Sequence, residues 1–220
     1  MSMEKIAPMA ARPATAQPAP EAGPASPAAA KPARERILET ASELFFRHGI
    51  RAVGIDTIIA RSGVAKMSLY RHFASKDELV VAFLEWRDRT YWDWWDEVLA
   101  RHPGEPRAQL TALVAGIAER IGNRFYRGCA FLNTASEFPT PADGSEHPAH
   151  AVSMAHKTEL RRRLLALATA LDAGDPQQLA DQFLLLFNGA YATAPLLGAD
   201  WPRGALDAAL ESLIAAQQKR

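Results

Sequence analysis

Cysteine is nearly absent: Cys129 is the only one in 220 residues. An intrachain disulfide framework and a cysteine-based zinc finger are therefore excluded. No net charge is present either, since 25 Lys and Arg balance 25 Asp and Glu. That excludes a uniformly basic coat for nucleic acid and an acidic solvating tail, but leaves room for a local basic patch. No run approaches the roughly 18 uncharged apolar residues that a membrane span needs. The N-terminus lacks the apolar stretch of a signal peptide, because prolines interrupt it from Pro8 onward. These features predict a cytoplasmic protein with no membrane partner. Strands are missing too, as no segment of any length alternates with period two, and there is no internal repeat.

Proline and alanine are concentrated at the start. Seven of the 15 prolines fall within residues 1–33. Such a segment has few large side chains to bury and cannot offset its ordering entropy, so a disordered arm is expected there. Composition changes at Lys31. Residues 31–80 carry nine basic and six acidic side chains, and residues 81–220 carry 14 and 17. The neutral total conceals a mildly basic module and a mildly acidic body, the polarity expected of a small nucleic-acid module attached to something else.

From Arg34 the apolar spacing is helical almost throughout. Ile37, Leu38, Ala41, Leu44 and Phe45 make one stripe, which Gly49 terminates. Short helices are predicted at about 55–62 and 66–73, meeting at Ser62-Gly63. Ser75 with Glu78 reads as a capping box for a long helix at about 76–101. Further helices are expected at about 106–126, 130–138, 149–172, 176–197 and 203–217, bounded by Pro- and Gly-rich turns. The fold class is all-α with about nine helices, organised as an arm (1–33), a helix-turn-helix module (34–80) and a larger helical body (81–220).

Residues 55–73, IDTIIARSGVAKMSLYRHF, concentrate the chemistry. Ile55, Ile58, Val64, Leu69 and Phe73 form the side to be buried. Lys66, Met67, Tyr70 and Arg71 share the other face of the second helix. Such a face suits a major groove: Lys and Arg donate to guanine, Met meets a thymine methyl, and Tyr reaches a phosphate. The helix start at Ser75-Lys76 is a second candidate for a phosphate.

The string GVAKMSLYRHFASKDEL (63–79) resembles the signature of the TetR/AcrR repressors, at Gly63, Val64, Leu69, Tyr70, His72, Phe73, Ser75, Lys76 and Leu79. The preceding Ala41, Leu44, Phe45 and Gly49 match as well, so the likeness covers about residues 34–80. Two positions depart from the pattern. Ile59 replaces the usual small residue four before the turn glycine, and Val53-Gly54 replaces a phosphate-binding Thr or Ser, for which Thr57 is the substitute. The resemblance implies that Tyr70 and Lys76 contact phosphates. It places Lys66, Met67, Ser68, Arg71 and His72 at or near bases. It also implies that residues 81–220 bind a small molecule and form a homodimer on double-stranded DNA.

The body must be read from its own residues. Trp86, Tyr91, Trp92, Trp94 and Trp95 crowd one helix, and each has an apolar body with a polar handle. Gly128 breaks a helix in a segment whose RGCxFxN string recurs in a subset of this family. The expected effector pocket is Trp86, Trp94, Phe125, Cys129, Asn133, Glu137, Phe183, Asn188 and Tyr191. Cys129 is expected to be an inert thiol, with Arg127 as its nearest cation. His147, His150 and His156 are spaced too irregularly for a metal site and are expected to be solvated or to support other groups. Stripes at the two last helices predict a dimer interface through Phe187, Ala190, Ala194, Leu206, Leu210 and Leu213. The sequence carries no nucleophile elbow, phosphate loop, HExxH or dinucleotide fingerprint. The expectation is a repressor released by its effector, with no metal, no cofactor and no enzymatic activity.

Overall fold

The computed structural model describes residues 31–123, 126–139 and 144–217. Most of the expected arm and the pocket candidate Phe125 lie outside these residues. Among the described residues the chain forms nine α-helices, one 3₁₀ turn (Gly198–Asp200) and no strand. They are α1 (Ala33–His48), α2 (Ile55–Ser62), α3 (Lys66–His72), α4 (Lys76–Ala100), α5 (Pro106–Ile121), α6 (Ala130–Glu137), α7 (Pro148–Ala170), α8 (Pro176–Leu197) and α9 (Arg203–Gln217). None of them is long and apolar enough to cross a membrane.

Local signals set the ends. Gly49 adopts φ 86° and its N–H donates to the Phe45 carbonyl, closing α1. Gly63 is left-handed at φ 64°, a conformation that glycine reaches without the Cβ penalty, and turns α2 into α3. The Ser75 hydroxyl accepts from the Glu78 N–H at 3.1 Å. Glu78 Oε2 takes the Ala74 N–H at 2.6 Å, one residue before the position a capping box uses. α5 ends at Ile121, five residues earlier than periodicity suggests. The Arg203 guanidinium lies against Gly122, where a Cβ would collide with it.

Apolar burial falls into two clusters. The first is built by Ile37, Leu38, Ala41, Leu44, Phe45, Ile58, Leu69, Phe73, Leu79 and Phe83. It also takes in Ala130 and Phe131 of α6 and Ala149 of α7. The second joins the remainder of α4 to α5, α7, α8 and α9 around Trp95, Leu113, Leu164, Phe183 and Phe187. α6 therefore packs chiefly on α7 and α4, with Ala130 and Phe131 joining the cluster of the N-terminal helices.

The expected dimer stripe is corrected here. Phe187, Ala190, Ala194, Leu206 and Leu210 are buried within one chain, and Leu213 is half-buried. They form the intrachain core of α8 against α7, α5 and α9. α8 is apolar nearly all round, and periodicity alone cannot separate its inward stripe from an interface. Its outward face carries Leu185 (72% exposed) and Leu196 (84% exposed).

Candidate functional site

α3 is held from behind. Leu69 is fully buried and Phe73 nearly so, while the opposite side stays in solvent. Met67 is 78% exposed, an unusual place for a large apolar side chain, and Tyr70 is 42% exposed. Arg71 is exposed as well. Lys66 is exposed and approaches Asp56 at 3.5 Å, a surface pair worth little in water. Thr57 is exposed on α2; Ser68 and His72 are half-buried.

The turn is stapled by a residue that motif reading passes over. Arg36 of α1 donates from Nη2 to the Ser62 and Gly63 carbonyls, each at 2.7 Å, and from Nε to Ser62 at 3.2 Å. These carbonyls end α2 and would otherwise rely on water. A basic residue one turn into the first helix is the only sequence signal for it.

Lys76 needs correction as a phosphate contact. It is half-buried, and its ammonium donates to the Ile50 carbonyl at 2.6 Å. Burial lowers its pKa, opposed by the charges of Glu137 and Asp77. Its side chain is thus a brace between α4 and the α1–α2 loop. Glu137 is the other brace. Its carboxylate accepts the Ile50 N–H at 3.0 Å and the Arg51 N–H at 2.7 Å, and its carbonyl accepts from Arg51 Nη1 at 3.2 Å. Glu137 and Asn133 line a crevice of about 270 Å³ between α1 and α6, not the main cavity of the body.

That cavity, of about 310 Å³, lies among α4, α5, α6, α7 and α8. Of the expected pocket residues, Cys129 and Tyr191 line it. Trp86 projects to the surface, and Trp94 packs on Gly116 with the Arg120 guanidinium 3.9 Å above its ring. Phe183 is wholly in the core. Asn188 accepts from Lys157 Nζ at 2.7 Å. The same ammonium is 3.6 Å from Cys129 Sγ, so Lys157 rather than Arg127 is the neighbouring cation of the thiol.

Tyr91 of α4, Tyr126, and Phe131 of α6 also line the cavity and lie in the two stretches singled out in the sequence; the walls that sequence reading misses are Arg87 of α4, Arg120 of α5 and His156 of α7. A signal for Arg87 exists. Phe83, Arg87 and Tyr91 are spaced by four, which puts an arginine in the buried stripe of α4. His156 is buried, contrary to the solvated reading. It contacts Asp88 through Nδ1 at 2.7 Å and stacks on Phe131 at 3.7 Å between centroids. Burial lowers its pKa to about 4 despite the Asp88 hydrogen bond, so the ring is neutral near pH 7. His147 caps α7, its Nδ1 accepting the Ala149 N–H at 3.1 Å, and stacks on Phe138. Among the described residues no cluster of His, Cys, Asp or Glu is arranged to hold a metal.

The hydroxyls of Tyr91, Tyr126 and Tyr191 are buried, and those of Tyr91 and Tyr191 lie within hydrogen-bonding reach of each other. Burial raises the pKa of all three, which stay protonated donors.

Comparison with known proteins now decides the family. Residues 37–83 match the family described as "Bacterial regulatory proteins, tetR family". SCO4454, a TetR-family transcriptional regulator from Streptomyces coelicolor, has a similar crystal structure: TM-score 0.78, 31% identity, 85% of this chain and 96% of that one. The chain belongs to the TetR family. It is a DNA-binding transcriptional regulator, and regulators of this family are not enzymes. Two curated relatives match more locally. The transcriptional activator FasR of Mycolicibacterium smegmatis is 48% identical over 52 residues, 24% of this chain and 24% of FasR. The transcriptional repressor KstR2 of Mycobacterium tuberculosis is 41% identical over 64 residues, 27% of this chain and 32% of KstR2. One relative is named an activator and the other a repressor, so such local likeness does not carry the sign of regulation.

Proposed function

We propose that this TetR-family chain is a repressor that binds a pseudo-palindromic operator as a homodimer and leaves it when a small molecule enters the cavity. The observation that carries this reading is the α3 face: Lys66, Met67, Tyr70 and Arg71 outward, Leu69 fully buried behind them. A seven-residue helix reads few base pairs, and two related by a two-fold axis read a palindrome. Tyr70 is a phosphate contact, Arg71 and Lys66 are base readers, and Met67 meets a thymine methyl. The second copy packs on the outward face of α8 and α9. A shallow apolar groove there is lined by Leu185, Leu186, Gly189, Ala205 and Ala209, with Ala190 and Leu206 at its floor.

Two contacts support release. Arg87, on the cavity wall, lies over the Phe46 ring of α1 at 4.7 Å. Ala130 and Phe131, also on that wall, open α6, whose far end grips Ile50 and Arg51 through Glu137. A ligand that displaces either contact moves α1 and the helix-turn-helix against the body. The effector must favour the released state by several kcal/mol to empty an operator.

The test begins with selection of duplexes from random DNA, followed by fluorescence anisotropy. Two-fold symmetric sites bound by a dimer are expected. Tyr70→Phe weakens every duplex alike, whereas Arg71→Ala also relaxes base preference. Transcription from a promoter carrying the site falls on adding the protein. Selected sites without symmetry, or an Arg71→Ala loss equal on selected and random DNA, overturn the reading.

A further inference from the structure

The cavity holds positive charge and no negative charge. None of the described residues that line it is acidic. Arg87 and Arg120 both belong to the wall, and among the described residues neither has a carboxylate within ion-pair distance. Their company is aromatic: Arg87 lies over Phe46, and Arg120 lies over Trp94, with Tyr91 at 5.9 Å. The guanidinium of Arg87 is held below its ordinary pKa by burial first and by the charge of Arg120 second. The nearest carboxylate on the α4 side, Asp88, is already engaged by His156 Nδ1 at 2.7 Å and by Trp92 Nε1 at 2.8 Å. His156 itself is neutral.

Two half-buried arginines facing the same space repel each other, and a counter-ion relieves both the repulsion and the part of their hydration that is lost. The polar groups around them point the same way. Tyr91 and Tyr191 satisfy one O–H donor between them, which leaves one donor of that pair and the Tyr126 hydroxyl to be met, and a carboxylate or phenolate oxygen is an acceptor only. Phe131, stacked on His156, and the tyrosine rings supply the flat apolar part of the wall. A space of about 310 Å³ is at the small end of ligand pockets, which run from roughly 300 to 1,000 Å³.

We infer that the effector is a small organic anion, an acidic oxygen group on a compact aromatic body, with its charge between Arg87 and Arg120 and its oxygens accepting from the buried tyrosine hydroxyls. This rests on the reading of the cavity as the effector site. A guanidinium fork matches a carboxylate in two-point geometry, which a neutral amide does not offer.

The experiment pairs acids with uncharged isosteres: benzoate, cinnamate and 2-naphthoate against benzamide, cinnamamide and 2-naphthamide. Binding to the full chain is measured by calorimetry, and operator release is measured separately by anisotropy. At least one acid is expected to bind tenfold or more tightly than its amide. Arg120→Gln and Arg87→Met are expected to erase that preference. Because they remove a buried charge that lacks a counter-ion, neither is expected to lower the melting temperature of the unliganded protein by more than a few degrees. Tyr191→Phe, which keeps the ring, weakens the acid several-fold and leaves the amide unchanged. Amides binding as well as acids, or none of the three acids binding, overturn the inference. Acid binding without operator release leaves the anion site standing and removes the release reading. Release caused by the amides alone does the reverse.

Discussion

Glu137 is the residue whose loss best tests how the body grips the DNA-binding helices. Its carboxylate accepts two backbone N–H groups, Ile50 at 3.0 Å and Arg51 at 2.7 Å, across 86 residues of sequence or more. Hydrogen bonds to a charged group contribute about 1.5–3 kcal/mol each. Arg51 is exposed and Glu137 half-buried, so water competes, and the pair is worth roughly 1–2 kcal/mol together. Glu137→Gln keeps one acceptor and turns an NH₂ toward the other donor. The expected loss of roughly 1–2 kcal/mol corresponds to about 2–8 °C in melting temperature for a chain of this size. The local effect is sharper. One of the Ile50 and Arg51 N–H groups loses its acceptor, so amide exchange at residues 50 and 51 accelerates by a factor of roughly 5–30, while the core of α7 and α8 is unchanged. The Lys76 ammonium, which feels the Glu137 charge and holds the Ile50 carbonyl, loosens in the same variant. Hydrogen exchange followed by mass spectrometry reads both effects. Unchanged exchange at residues 50 and 51 would refute the idea that this carboxylate ties α6 to the start of α2.

Three other perturbations have defined outcomes. Arg36→Met removes the three donations onto Ser62 and Gly63, and is expected to cost about 1–2 kcal/mol in denaturant unfolding; wild-type stability in that variant would show the staple to be idle. His156 is depressed from 6.5 to about 4 by burial, so its neutral form is the one the fold favours. The stability it brings is complete above pH 6.5 and is lost as pH falls from there toward about 4, amounting to about 2 kcal/mol by pH 5. His156→Asn is expected to flatten that part of the stability–pH curve, and equal slopes would count against it. Gly116→Ala places a Cβ 2.7 Å from Trp94 Cζ2, which must shift under the Arg120 guanidinium. A changed tryptophan emission and a loss of roughly 1–3 kcal/mol are expected, and neither change would mean that the indole yields freely.

The contrast between α3 and α8 shows what the sequence made legible. In α3 the apolar residues fall on one side and the functional ones on the other, so spacing alone separates Leu69 from Lys66, Met67, Tyr70 and Arg71. In α8 both sides are apolar, and period 3.6 finds a stripe without saying whether its partner is the same chain or another. The spacing of Phe187 and Ala194 therefore suits a second copy equally well, whereas α7, α5 and α9 cover them within one chain. The cavity was hard to read for a different reason. Aromatic bulk points to Trp86 and Trp94, yet none of the four tryptophans of α4 lines it. Bulk favours burial, and Trp95 obeys by filling the core. The groups proposed to meet a ligand are instead Arg87, Arg120 and the hydroxyls of Tyr91, Tyr126 and Tyr191, drawn from segments far apart in sequence. Only the unpaired cation within an apolar spacing, Arg87 between Phe83 and Tyr91, announces such a site locally. A charge placed where burial is certain and a partner is missing is costly to the folded chain, and it persists where a binding event supplies the partner.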